Sequence, residues 1–297
     1  MNGGALYIQA DWTAENGIRL LSVRLERPPV ARLFTGMRGD ELLAAVPLLY
    51  SLCARAQQAA AAFALAAARN APPPEVDPRA LWRENLHECL WRLCLDWPVA
   101  LGQTREARQA ARAAFLTWRK RFNAPTQEFD AATATILDEL QQHALRRSAP
   151  SPSKREALQP PLTEGGGFDA VGGSGRNSAA HAARLLQTQN IWQALQENRP
   201  YPVTAQGGDG SGESNIPTAR GLLTHRLALD AAGCVAAYQV WAPTDRHFAD
   251  AAALMEHLAS ARPADFAAAR QALECAILAL DPCVPHRIEW LQKEQET

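Results

Sequence analysis

The residues best suited to chemistry lie toward the two ends of the chain. Near the carboxy terminus Cys283 sits between Pro282 and Pro285, with Asp281 two residues before it and His286 three residues after. A Cys-x-x-His run offers one soft sulfur and one imidazole to a single metal, although a spacing this short does not specify a site. Near the amino terminus Leu42, Val46, Leu49 and Cys53 step by four, three and four, with Gln57 next in the series. That period puts them on one face of a helix predicted over 40–70. A cysteine on such a face reads equally well as a small packing hydrophobe, so the residues alone leave both readings of Cys53 open. Cys89 and Cys94 are five apart and share no helix face, Cys275 reads as helix packing, and Cys234 as a strand residue. His225 reads as a satisfied structural histidine, and His87, His143, His181, His247 and His257 form no spaced cluster with the cysteines. There is no phosphate-binding glycine loop with lysine, no HExxH and no GxSxG nucleophile elbow.

The elements that must position these residues are mostly helical. Ile18, Leu20, Val23 and Leu25 alternate after the Asn16-Gly17 turn signal, which predicts an amino-terminal hairpin. The 40–70 helix stops at Pro72-Pro73-Pro74. A second helix opens with Asp77 as N-cap and Pro78 at its first position, carries Trp82, Leu86, Cys89, Leu90, Leu93 and Trp97, and is expected to stop at Pro98. Phe115, Trp118 and Phe122 mark a third, Phe129, Ile136, Leu137 and Leu140 a fourth, and 181–197 a fifth. Composition predicts a flexible linker over 148–175 and a second flexible loop over 206–215, both within one domain spanning 1–297. A hairpin follows, with strands over 221–229 and 234–241 and a turn over 230–233. The last helix, 264–280, buries Phe266, Leu273, Ile277 and Leu280. Asp281-Pro282 ends it because a residue before proline is pushed out of helical space, so Cys283 falls where a loop can aim a thiol.

The chain has 297 residues, 47% hydrophobic and 21% charged, with a formal net charge of -1. Such a chain buries a large core, and neither its charge nor any basic patch points to nucleic acid. The longest apolar run, 59–68, is mostly alanine and too short to span a bilayer. The amino terminus lacks a basic stretch followed by an apolar run, so no secretory signal is expected. Six cysteines without a CxxC pair do not form a disulfide framework, which fits a reducing cytoplasm.

Four segments taken together resemble the large subunit of nickel–iron hydrogenases, and more closely its HupK/HoxV-type maturation homologues. Leu48-Leu49-Tyr50-Ser51-Leu52-Cys53 with Gln57 stands where the large subunit has Arg-x-Cys-Gly-x-Cys and then His. Ala219-Arg220-Gly221-Leu222-Leu223-Thr224-His225 is similar to Glu-Ala-Pro-Arg-Gly-x-x-x-His. Tyr238-Gln239-Val240-Trp241-Ala242-Pro243-Thr244 is similar to Tyr-Gln-x-x-x-Pro-Thr, and Asp281-Pro282-Cys283 with His286 to Asp-Pro-Cys-x-x-Cys. The match covers both ends; the middle matches only in being helical. The resemblance implies an α+β, mainly α fold, a helical bundle with small peripheral β-hairpins.

The departures shape what the resemblance implies about function. In the large subunit four thiolates hold the metals, the first cysteine of each pair binding nickel alone. Here Tyr50 replaces the first amino-terminal cysteine, His286 takes the bridging position, and Glu289 stands where a final histidine would be. The nickel site cannot be built from what remains. An iron bringing its own strong-field ligands needs few protein donors, and thiolates suit it. The resemblance therefore implies a cytoplasmic, non-catalytic scaffold that holds the Fe(CN)2(CO) unit transiently, without nickel. Upstream maturation proteins would deliver the unit, and a hydrogenase large-subunit precursor would receive it. Cys53 and Cys283 are the implied iron ligands and His286 a third or substitute donor. Arg220 and Thr244 are the implied donors to the diatomic groups. Two rival readings are a metal-free chaperone that recruits maturation proteins or protects the precursor, and a reduced large subunit acting as an enzyme.

Overall fold

The structure is a computed structural model and describes residues 4–148 and 174–291. About 52% of the described residues are helical, and two small sheets complete an α+β fold. The first sheet starts from the expected hairpin, β1 (Ala5–Thr13) against β2 (Gly17–Glu26), turning at Gly17 with φ +66°. It is larger than the hairpin expected. Strand β7 (His286–Trp290) pairs in parallel with β1, Leu6 opposite His286 and Ala10 opposite Trp290. Ile288 and Trp290 are its only apolar residues, too short a run to predict a strand from sequence. Helix α10 (Phe266–Leu280) covers this sheet, and Leu6, Ile8 and Ala10 are buried against Leu273, Ala276 and Ile277. Asp265 caps it by accepting the N–H of Ala268 at 2.7 Å.

The helix predicted over 40–70 is two helices, α1 (Gly39–Leu49) and α2 (Ala54–Ala68). Pro47 lies inside α1 and has no N–H, so the carbonyl of Leu43 loses its helical partner. Gln58 of α2 supplies the replacement, its Nε2 donating to that carbonyl at 3.0 Å. Tyr50 (φ −113°, ψ 76°) and Cys53 (φ −124°, ψ 51°) leave helical space between the two. Cys53 is thus the residue that starts α2, and the face on which periodicity placed it does not continue through it.

Helix α2 lies on a four-stranded antiparallel sheet, β3 (Thr204–Gly208), β4 (Ser211–Thr218), β5 (Gly221–Leu229) and β6 (Val235–Trp241), in that order. The flexible loop expected over 206–215 is instead the β3–β4 hairpin. Gly212 and Ser214 in it are packing residues. A Cβ on Gly212 would overlap the carbonyl oxygen of Ala64, and Ser214 Oγ donates to the carbonyl of Ala60 at 2.6 Å. Backbone lies on backbone here, which also accounts for the run of alanines in α2.

The remaining helices form a second core. Helix α3 (Pro78–Trp91) is capped by Asp77 and runs through a π-helical turn (Arg92–Asp96) into α4 (Trp97–Ala100). Pro98 therefore does not end the helical run as expected. It occupies the first turn of α4, where a missing N–H costs nothing. With α5 (Arg105–Arg119), α6 (Thr126–Ser148) and α7 (Ser174–Gln196), α3 buries Leu86, Leu90, Phe115, Trp118, Phe129 and Ile191. Two short helices, α8 (Pro243–His247) and α9 (Ala252–Leu258), join β6 to α10. Apart from its ends in α6 and α7, the linker expected over 148–175 lies outside the described residues.

Candidate functional site

Helix α10 ends on Asp281, whose left-handed conformation (φ 48°) turns the chain toward Pro282 and Cys283. The carboxylate is buried among three guanidiniums. Arg92 Nε donates to Oδ1 at 2.5 Å, Arg184 Nη2 to Oδ2 at 2.8 Å, and Arg220 Nε lies 3.5 Å from Oδ1. Burial alone would raise the Asp281 carboxyl, but Arg220, Arg184 and Arg92 together hold it below the ordinary carboxylate range. Arg92 Nη2 also donates to the carbonyl of Pro282 at 2.6 Å, and the N–H of Leu6 in β1 to that of Pro285 at 2.9 Å. The segment carrying Cys283 is thus tied down on both sides. Its backbone N–H donates to Thr244 Oγ1 at 3.0 Å, and the same hydroxyl donates to Cys283 Sγ at 3.2 Å. Arg27, which follows β2, also donates to that sulfur and lies 3.4 Å from Asp245.

Cys53 is held differently. It starts α2 without capping it, because Glu84 of α3 reaches across and accepts the N–H groups of Arg55 (2.8 Å) and Ala56 (2.9 Å). Gln57, one turn on, donates from Nε2 to Cys53 Sγ at 3.5 Å, and its Oε1 lies 2.7 Å from His225 Nε2. An amide oxygen only accepts, so His225 carries its proton on Nε2 and receives the Tyr238 hydroxyl on Nδ1 at 2.6 Å. Burial pushes the His225 pKa down to about 3, in keeping with a neutral ring. Burial likewise pushes the Cys53 thiol up to about 12, opposed by the Gln57 hydrogen bond and the charge of Arg220, and reinforced by Cys283. The two cysteines and Arg220 therefore share one neighbourhood.

The structure brings together four of the five residues singled out from sequence: Cys53, Cys283, Arg220 and Thr244. Arg220 is fixed by Glu88, Nη2 to Oε2 at 2.6 Å, as well as by Asp281. The fifth, His286, lies elsewhere. It is the first residue of β7, and its Nε2 is 2.8 Å from Glu274 Oε2 on α10. Among the described residues no group of three or more His, Cys, Asp or Glu side chains is placed to hold a metal ion. Sequence reasoning missed Arg27, Glu88, Arg92 and Arg184. A charge that is buried against a partner far along the chain leaves no periodic mark, although Gln57 was legible as the neighbour of Cys53. The Nε atoms of Arg27 and Arg220 are buried and make no hydrogen bond, that of Arg220 facing the Asp281 carboxylate at ion-pair distance.

The fold is that of the nickel–iron hydrogenase large subunit. A nickel–iron–selenium hydrogenase variant from Desulfovibrio vulgaris Hildenborough superposes with a TM-score of 0.56, over 95% of this chain and 99% of that one, at 13% identity. No protein-family model matches the chain. Two curated relatives are much nearer in sequence. The hydrogenase expression/formation protein HupV of Azotobacter chroococcum mcd 1 is 31% identical, over 95% of this chain and 98% of its own length. HupK of Azotobacter vinelandii is 30% identical, over 92% and 94%. The chain belongs to the HupK/HupV/HoxV family of hydrogenase expression/formation proteins, and its role lies in hydrogenase maturation.

Proposed function

We propose that the chain is a carrier whose cargo is the Fe(CN)2(CO) unit, received from maturation proteins and passed to a nickel–iron hydrogenase large-subunit precursor. One observation supports this reading: Cys53 and Cys283, from opposite ends of the sequence, lie within electrostatic reach of each other, Cys53 also feeling the charge of Arg220 and Cys283 bonded to Arg27 and the Thr244 hydroxyl. Two sulfurs are too few for a bare metal ion wanting four ligands, but enough for an iron that arrives with three of its own. Bound cyanide is a hydrogen-bond acceptor, and Arg220, Arg27 and Thr244 are the donors it calls for. His286 would serve only by leaving Glu274, so the two sulfurs are the proposed ligands.

Two thiolates hold less firmly than a full set, which gives transfer to the precursor its direction. On this reading the protein turns over no substrate of its own and works in the cytoplasm. Among the described residues no helix is long and apolar enough to cross a membrane. The test is infrared spectroscopy on protein purified from cells containing the maturation machinery. Cyanide and carbonyl bands should appear with iron in the wild type and vanish in Cys53→Ala and in Cys283→Ala. Wild-type protein lacking both bands and iron would sink the reading. Full maturation supported by a variant lacking both cysteines would move the role to a metal-free chaperone.

A further inference from the structure

Arg27 has a role that neither the fold nor the thiols explain. It leaves β2 just before Pro28-Pro29 and is about three-quarters buried, its side chain 23% exposed. It donates to Cys283 Sγ, lies 3.4 Å from Asp245, and is close enough to Tyr50 for its charge to act on the phenol. Asp245 is itself anchored, its Oδ2 accepting the N–H of Ala242 at 2.9 Å. A cation is thus built into the side of the site formed by Cys283 and Tyr50, in contact with the Cys283 sulfur.

We propose that Arg27 is a specificity residue that keeps bare divalent transition-metal ions off the Cys53–Cys283 pair while favouring a metal unit that carries its own anionic ligands. The argument is one of charge. A divalent ion on two thiolates is already neutral, so the guanidinium beside it loses the thiolate charge and keeps only Asp245 as a partner. Ferrous iron carrying two cyanides and a carbonyl has no net charge, and binding it leaves both thiolate charges for Arg27 and Arg220 to meet. The same group therefore repels one class of ligand and holds the other.

The inference rests on the carrier reading for its favoured ligand, but the exclusion half is tested without any cargo. The full chain, made without maturation proteins and kept reduced, is titrated with cobalt(II) while the sulfur-to-cobalt charge-transfer absorption is recorded. Arg27→Ala should bind cobalt about tenfold or more tighter than wild type, and Arg27→Lys, which keeps the charge, should stay close to wild type. Far-ultraviolet circular dichroism confirms that each variant is folded, and Arg27→Gln replaces the alanine variant if that one is not. Equal cobalt affinity in wild type and the neutral variants would overturn the proposal, as would a lysine variant that binds like alanine. In the loaded protein Arg27→Ala should keep less of its cyanide and carbonyl intensity than wild type; undiminished bands would overturn the favouring half. Absence of bands from the wild type itself counts against the carrier reading and leaves the cobalt result to judge the exclusion.

Discussion

Cys53 is positioned by a neutral hydrogen-bonded row, one carboxylate cap and close backbone contact, whereas Cys283 is positioned by a cluster of charges. On the first side stand Gln57 of α2, a helix laid directly against β4, and His225 of β5 and Tyr238 of β6, in one hydrogen-bonded row. On the second stand Asp281, its three guanidiniums, and Arg27 with Asp245. The difference teaches what each half depends on. A neutral row and a tight backbone contact fail through volume or through protonation of the one group that must stay uncharged. A buried ion cluster fails when any member is removed, because the partners left behind lose their compensation.

The largest effect should come from breaking the charged half at its centre. Asp281→Asn leaves Arg92, Arg184 and Arg220 crowded without their shared counter-ion. The expected loss is about 3–5 kcal/mol in urea unfolding. Displacement of Cys283 should accompany it, read as loss of iron and of the infrared bands. An effect under about 1 kcal/mol would show that the guanidiniums are satisfied without the carboxylate.

The neutral half should break through volume. Gly212→Val places atoms where the Ala64 carbonyl already lies, so the sheet and α2 must separate. The expected cost is about 1–3 kcal/mol. Cys53 starts that helix, so cargo retention should fall with stability.

How much of this was legible in the sequence follows the same division. Local patterns carried far: the Asn16-Gly17 hairpin, Asp77-Pro78, the strands over 221–241 and the stop at Asp281-Pro282 are all in the structure. One failure came from backbone contacts that a local pattern does not encode, another from a local signal that was masked. The alanines of α2 and the glycines of β3–β4 read separately as helix and loop, yet each composition exists because of the other. The break before Cys53 was signalled by Pro47 but concealed by an apolar period that ran past it. Of the site, the thiols, Arg220 and Thr244 were found through the order of four short motifs. The cations that surround them were not, since pairs such as Arg27 with Cys283 and Arg184 with Asp281 lie far apart in the chain.

Acid should separate the two halves by pH. In the folded chain His225 titrates near 3, against about 6.5 when unfolded, so below about 6.5 the unfolded chain binds the extra proton. Stability should therefore fall with acid by about 1.4 kcal/mol per pH unit from this group, beginning below about pH 6.5 and ending near the folded value. His225→Phe should be weaker at neutral pH yet show a flatter slope in that window. Asp281 and Glu88 are both held below the ordinary carboxylate range, so their contribution is present above that range and is lost at lower pH, as protons reach the folded carboxylates. Urea midpoints measured across the two windows would give each half its own signature. An unchanged slope in His225→Phe would mean that another group governs the upper window.

The smallest effect should come from His286, and it is the sharpest check on where the site ends. The residue stands at the position the family motif gives to a bridging cysteine, yet β7 carries it to Glu274, whose side chain is 41% exposed. A pair that open contributes about 0–1 kcal/mol and weakens with salt. His286→Ala should therefore unfold almost as the wild type does and keep its iron with unshifted cyanide and carbonyl bands. Cys283→Ala, three residues away, should lose both. If His286→Ala shed iron or moved the bands, the imidazole would have to leave Glu274 on loading, and the ion-paired half of the site would be the mobile half. With iron and bands kept, charge holds Cys283 in place and the carboxy-terminal strand serves only to anchor it.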